Sequence, residues 1–212
     1  MKRAIIFTLL TLYLSCSNSV FANQLEEIVV TAERAEQTLS ELSTNISIID
    51  RENLVRTDHT HLNEVLFRVS GAWISRGNGQ EHLTSIRSPV LTGAGGCGAF
   101  LMSQDSIPLR ATGFCNVNEL FESHSEIAER IEVIKGPGTA LHGSNAMHGL
   151  VNIITPSMTD PGSSSQFETG VHGYNRVKHQ QQTRNWRVDA SATRDGGYKD
   201  DSGFGQQKLT AK

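Results

Sequence analysis

Apolar positions along this chain come in short runs, and their period changes from one stretch to the next. In residues 45–50, Ile46, Ile48 and Ile49 predict a strand, and Asp50 suits the N-cap of a short helix over residues 51–55. Between Thr60 and Val69, the residues Leu62, Val65, Leu66 and Val69 lie on one face of a second helix, with Thr57-Asp58 or Thr60 as its cap. Gly71 stops it, and Ala72-Trp73-Ile74 opens a strand. Residues 83–87 read as a strand, residues 100–110 as a strand and turn, and residues 118–128 as a short helical piece. The densest pattern is Glu129 to Pro156, ERIEVIKGPGTALHGSNAMHGLVNIITP. Two β-rich runs, Arg130–Lys135 and 150–155, flank a glycine-punctuated centre. Gly136-Pro137-Gly138 must break the first, since proline lacks a ladder donor and glycine permits positive φ. Thr139 can cap a short helix through Ala140, Leu141 and His142, and Pro156 ends the second run.

After Pro156 the period becomes two. Residues 157–165 form a Ser/Gly/Pro linker. Trp186, Val188, Ala190 and Ala192 then alternate with Arg187, Asp189, Ser191 and Thr193. One apolar and one polar face is the pattern of a transmembrane barrel strand, and Trp186 suits an interfacial girdle. Residues 167–173 and 176–183 are weaker strand candidates, Arg184-Asn185 a tight turn, and residues 195–205 a longer loop. Residues 206–212 begin a fourth strand. Three strands and part of a fourth cannot close a barrel, and lipid does not tolerate open edges. The expectation is a fragment of a larger protein, the product of an interrupted gene or an incomplete gene model.

The first 22 residues change the picture of the compartment. Met1-Lys2-Arg3 is a charged start, residues 4–14 are apolar, and Val20-Phe21-Ala22 fits cleavage after Ala22, which predicts a signal peptide. The apolar run is shorter than the ~20 residues a membrane helix needs. Leu14-Ser15-Cys16 is lipobox-like, but Tyr13 and the site at Ala22 favour ordinary cleavage. Loss of Lys2 and Arg3 takes the formal charge from −3 to −5, which argues against a nucleic-acid partner. Cys97 and Cys115 remain, and an even pair in an exported protein predicts a disulfide. The chain-entropy model assigns closure of such a loop about 3 kcal/mol. The competing reading, a two-thiol metal site, lacks a nearby histidine to complete it.

Other motifs fail on context. Gly93-Ala94-Gly95-Gly96-Cys97-Gly98 fits G-x-G-x-x-G, but no helix follows to receive a pyrophosphate. Lys135-Gly136-Pro137-Gly138-Thr139 is not a P-loop, because its lysine precedes the glycines. Asp58-His59-Thr60-His61 could lend metal ligands, though solvated histidines near a helix start are commoner. No nucleophile elbow or triad spacing occurs, so the expectation is no enzyme, no cofactor and no metal.

The stretch from Glu129 to Pro156 resembles the end of the plug domain of TonB-dependent outer-membrane receptors, whose version runs from E-R-I-E-V-[IL]-[KR]-G-P through Y-G to G-x-[IV]-N-I-I-T. His142 departs from the family's tyrosine and His148 from a small residue. Ile86-Arg87 matches an I-R-G element with Ser88 for glycine, and Asp105, Ile107 and Pro108 match a D-G-[IV]-P turn in which Ser106 replaces glycine. Glu27, Ile28, Val29, Val30, Thr31 and Ala32 resemble the family's TonB box, a strand that adds to the sheet edge of the inner-membrane partner TonB.

The resemblance implies an α+β fold: a plug with a small mixed sheet and short helices, followed by the first antiparallel strands of an incomplete transmembrane barrel. Its implied divisions are signal peptide 1–22, box and linker 23–42, plug 43–156 and barrel start 157–212. It further implies active uptake of a scarce extracellular ligand, such as a ferric siderophore, a cobalamin-like cofactor or another nutrient. The site would be the Gram-negative outer membrane, with the plug on the periplasmic side within the barrel, or the periplasm were the barrel absent. Arg87, Arg130 and Glu132 align with recurrent charged positions, and the plug bases Arg87, Arg110, Arg130 and Lys135 would pair with carboxylates of the barrel wall or remain solvated. Loops 75–98 and 113–118 are the expected plug contributions to ligand contact. The alternative is a non-transporting exported plug that binds TonB without forming a pore.

Overall fold

The computed structural model describes residues 29–30, 37–38, 45–76, 82–88, 100–109, 123–143 and 146–212. The expected signal segment, the glycine-dense residues 93–98, Cys97, Arg110 and Cys115 lie outside them. Near the start, β1 (Val29–Val30) pairs antiparallel with β2 (Gln37–Thr38). Then come β3 (Ile46–Ile49), α1 (Arg51–Thr57), α2 (Asn63–Leu66), β4 (Ala72–Arg76), β5 (His82–Ile86), β6 (Phe100–Gln104) and β7 (Ile107–Pro108). A 3-10 turn at Ser125–Ile127 leads into β8 (Arg130–Lys135), α3 (Thr139–His142) and β9 (Gly149–Ile154). The remainder is β10 (Gly162–Thr169), β11 (Asn175–Gln182), β12 (Arg187–Asp195) and β13 (Phe204–Ala211).

Among the described residues, the central sheet has the order β3-β8-β9-β6-β7. It is mixed, because β6 runs parallel to β9 while the other neighbours are antiparallel. The period-2 alternation sorts its residues between two faces. Ile49, Ile131, Val133, Val151, Ile153, Phe100 and Met102 join Leu54 of α1, Leu62, Val65, Leu66 and Val69 around α2, and Ala72, Ile74 and Ile86 of the β4–β5 hairpin. Leu101, Ile134 and Leu150 cover the other face with Ala146 and Ile46. Full burial stabilises by about 1.5–3 kcal/mol per large aliphatic side chain, which sets this sheet as the anchor of the region.

Local chemistry explains the helix ends. Asp50 accepts the Asn53 N–H at 2.8 Å, the expected N-cap. The helix runs to Thr57, and Asp58 closes it in the left-handed region (φ 43°), with its N–H on the Leu54 carbonyl. Asp58 is therefore the end of α1 rather than the cap of the next helix. The second helix is shorter than its apolar face implied. His61 Nδ1 accepts the Asn63 N–H and Glu64 accepts that of Thr60, local bonds that compete with the helical ladder. Leu62, Val65, Leu66 and Val69 are buried as the spacing predicts. His59 and His61 are buried too, against the expectation of solvated histidines.

The four C-terminal strands form an antiparallel meander in sequence order. Two expectations are corrected here. The linker ends earlier, since Ser163, Ser164 and Ser165 belong to β10, where eight rungs of pairing with β11 override their turn-prone composition. The fourth strand also starts earlier, at Phe204, and pairs β12 over eight residues. In β12 the polar residues Arg187, Asp189, Ser191 and Thr193 are the buried ones. The apolar side, with Val177, Leu209, Phe167 and Trp186, faces outward. Among the described residues no helix is long and apolar enough to cross a membrane.

Candidate functional site

What buries the polar face of the meander is the surface of the mixed-sheet unit, and the contact is ionic at three stations. The first is built on the end of α1. Arg176 of β11 donates from Nη2 to Asp58 Oδ1 at 2.8 Å and to the Asp58 carbonyl at 2.9 Å, and from Nη1 to the His59 carbonyl at 2.6 Å. Its Nε donates to Glu168 of β10. Lys178 Nζ donates to Asp58 Oδ1 at 2.7 Å, and Gln166 Nε2 to Asp58 Oδ2 at 3.1 Å. Tyr174 adds a hydroxyl contact to Thr60 at 2.9 Å. Burial works against the Asp58 charge, but the Lys178 hydrogen bond and the Lys178 and Arg176 charges hold its carboxyl below the usual range.

The second station surrounds the 3-10 turn. Ser191 Oγ of β12 donates to Glu126 Oε1 at 2.9 Å, and Lys208 Nζ of β13 to Oε2 at 2.9 Å. Burial would raise the Glu126 pKa, yet Lys208 and His124 bring it down to about 2. His59, whose Nε2 meets Ser125 Oγ at 2.9 Å, is held down to about 4 by burial first and by the charges of Lys208, Arg176 and Lys178, against the pull of Glu126. His124 is lowered by burial as well. Its Nδ1 meets Thr210 Oγ1 at 2.9 Å, while Nε2, 3.8 Å from Glu126 Oε1, has no hydrogen-bond partner among the described residues.

The third station lies at the β6–β7 turn. Lys212 Nζ donates to Asp105 Oδ2 at 3.0 Å, and the same carboxylate accepts the Thr155 N–H and hydroxyl at 2.9 and 2.7 Å. Beside it an open cleft of about 700 Å³ is lined by Arg51, Arg130, Glu129, Asp160, Gln182 and Lys212. Gln182 Nε2 also donates to the carbonyls of Ser157 and Asp160, which ties the connecting segment to the meander. Gln182 is braced in turn by Arg187, which forms a buried two-pronged pair with Asp189.

The charged residues singled out in the sequence make none of the described ion pairs of these stations, although Arg130 lines the cleft beside the third. Arg130 Nε donates to the buried Glu132 at 2.8 Å within β8, and Lys135 Nζ to Ser47 of β3 at 2.7 Å. Burial and the nearby Arg87 lower the Lys135 pKa. Arg87 has φ 48° and its N–H on the Gly71 carbonyl. Of the six box residues, Val29 and Val30 are described, opposite Thr38 and Gln37, while Glu27, Ile28, Thr31 and Ala32 lie outside the described residues. As members of this contact, sequence reasoning missed Asp58, Glu126, Arg176, Lys178, Lys208 and Lys212. A signal existed for the bases: Arg176 and Lys178 are two apart on one strand, hence on one face. Asp58 and Glu126 carried no such periodicity. Among the described residues, no group of three or more His, Cys, Asp or Glu is placed to hold a metal ion.

The described residues thus form a mixed plug-like sheet packed on the polar face of an antiparallel meander. The TonB-dependent Receptor Plug Domain family matches residues 38–150, so the chain belongs to the TonB-dependent receptor plug family, a family of receptors rather than enzymes. Solved structures share the fold. The alcaligin outer-membrane receptor of Bordetella pertussis is 14% identical over 87% of this chain and 31% of that one, with a TM-score of 0.63. The siderophore receptor PiuA of Acinetobacter baumannii is 18% identical over 87% of this chain and 25% of that one, with a TM-score of 0.63. The ferripyoverdine receptor of the outer membrane of Pseudomonas aeruginosa, bound to ferripyoverdine, is 18% identical over 79% and 22%, with a TM-score of 0.58. The chain spans about a quarter of the length of these receptors.

Proposed function

We propose that this chain is the N-terminal part of a TonB-dependent outer-membrane receptor for active uptake of a scarce ligand. In this reading the meander begins the barrel wall, the mixed-sheet unit is the plug that gates it, and residues 27–32 couple the plug to TonB. The observation that carries it is the inverted burial of β12: polar residues pack inward on the plug and apolar residues face out. That is what a lipid-embedded wall around a wet, plugged lumen requires. The siderophore receptors to which the chain is similar favour a ferric chelate as the ligand class.

Coupling is tested at Val29. Strand addition needs the backbone N–H that proline lacks. The full chain should capture the purified periplasmic domain of TonB, and Val29→Pro should weaken that capture at least tenfold. Equal capture by both would remove the box from the reading.

A further inference from the structure

Among the described residues, every ion pair between the plug and the meander has its acid on the plug and its base on the strands. Asp58 pairs with Arg176 and Lys178, Glu126 with Lys208, and Asp105 with Lys212. The donors to the first two acids are not scattered. Gln166, Lys178, Ser191 and Lys208 are direct register partners from β10 to β13, so they form one inward row across the meander. Adjacent strands lie about 4.8 Å apart, which makes the row roughly 14 Å long, the size of a small chelate. Gln166 and Lys178 hold the Asp58 carboxylate, and Ser191 and Lys208 hold that of Glu126. Arg176 flanks the row. A cavity of about 60 Å³ lies between the two carboxylates, bordered by Gln166 and Lys178.

We propose that this row, with Arg176, is a binding track for a multiply anionic cargo, and that Asp58 and Glu126 occupy it as built-in carboxylate ligands while the plug is seated. The proposal rests on the uptake reading above and adds the charge class of its cargo. When the plug withdraws, Arg176 and Lys178 keep Glu168 as their strand carboxylate, while Lys208 loses Glu126. The track then carries net positive charge in a wet lumen, with hydroxyl and amide donors from Ser191 and Gln166 at fixed spacing. A ligand bearing several carboxylates would replace both plug acids at once, and charge-assisted hydrogen bonds of this kind are the strong ones. Cargo and plug acids thus exclude each other, so occupation of the track accompanies displacement of the plug.

The probe is citrate, a tricarboxylate, measured by equilibrium dialysis against the detergent-solubilised full chain. Asp58→Asn with Glu126→Gln leaves the bases in place and removes their internal ligands, so citrate should bind at least tenfold more tightly than to wild type. Adding Lys178→Gln and Lys208→Gln should return binding to the wild-type level. No gain in the acid-free variant, or a gain that survives loss of both lysines, overturns the track. Glu126→Gln alone, with an intermediate gain expected, serves if the double variant does not fold, and a single variant with no gain counts equally against the proposal. TonB capture by the same variants reads the uptake hypothesis separately: no citrate gain in the acid-free variant with capture intact rejects the track alone, and a citrate gain without capture rejects only the coupling.

Discussion

At Gly149 a side chain has nowhere to go. A Cβ there would lie 2.5 Å from the Ile134 carbonyl oxygen and 2.8 Å from Ile86 Cγ2, and the first of these is backbone that cannot swing aside. Gly149→Ala is expected to destabilise by about 1–3 kcal/mol, read as a lower denaturant midpoint at unchanged slope. Gly162→Ala, with open space around its Cβ, should move the midpoint by less than about 0.5 kcal/mol. The family glycine was visible in the chain, but its reason was not, because Ile86 and Ile134 reach it only across strands. Ser106 shows the converse. It stands where the family has glycine and adopts φ 64° beside Asp105 at 48°, so the tight turn is kept without the residue that usually makes it. Its N–H compensates by bonding the Asn152 Oδ1 at 3.0 Å, and Ser103 donates to that same oxygen.

Among the elements, β12 was the most legible and β10 the least. Strict alternation over eight residues left one reading for β12. In β10 the serines point to a linker, and the pairing edge of β11 decides otherwise. Adjacent positions on β13 then separate the two faces experimentally. Leu209 faces outward and is 73% exposed, whereas Lys208 faces the plug. An arginine on the lipid side of a barrel strand costs about 2–4 kcal/mol near the midplane. Leu209→Arg should therefore lower the folded, membrane-inserted fraction, scored by heat-modifiable migration of outer-membrane extracts. Lys208→Gln should leave it near wild type. Equal loss in both would contradict the assignment of faces.

For the molecule as a whole, the attachment of plug to wall should weaken in acid. His59 has its pKa lowered from 6.5 to about 4, so the folded state favours the neutral ring. Its contribution, about 3 kcal/mol, is complete above pH 6.5 and is lost as pH falls toward 4. Glu126 is lowered from 4.5 to about 2, so its contribution is complete above pH 4.5 and is lost as pH falls toward 2. A protonated His59 would also face Lys208, Arg176 and Lys178, three like charges opposed by Glu126. Hydrogen-exchange protection around residues 58–60 and 124–126 should hold above pH 6.5, fall between 6.5 and 4, and fall again below 4.5. Since exchange itself varies with pH, protection is compared after correction for the intrinsic rate. A flat corrected profile would exclude the ionic stations as the main attachment.

The order of elements, the buried face of Leu62, Val65, Leu66 and Val69, the strand–turn–helix–strand unit from Arg130 to Ile154 and the two-faced character of β12 all follow from periodicity and turn chemistry. Those are local properties, and a chain carries them before it folds. The partnership of Asp58 with Arg176 does not follow, since 118 residues separate them and no motif joins them. Nor does the polarity of the contact, with acids on the plug and bases on the strands. The bases pointed to in the sequence, Arg130 and Lys135, find partners inside the plug sheet, because β8 is an inner strand whose side chains meet others on the same face of β8 and β3. Pairing of charges depends on which surfaces meet and in which register, and only the packing of the meander against the plug decides that.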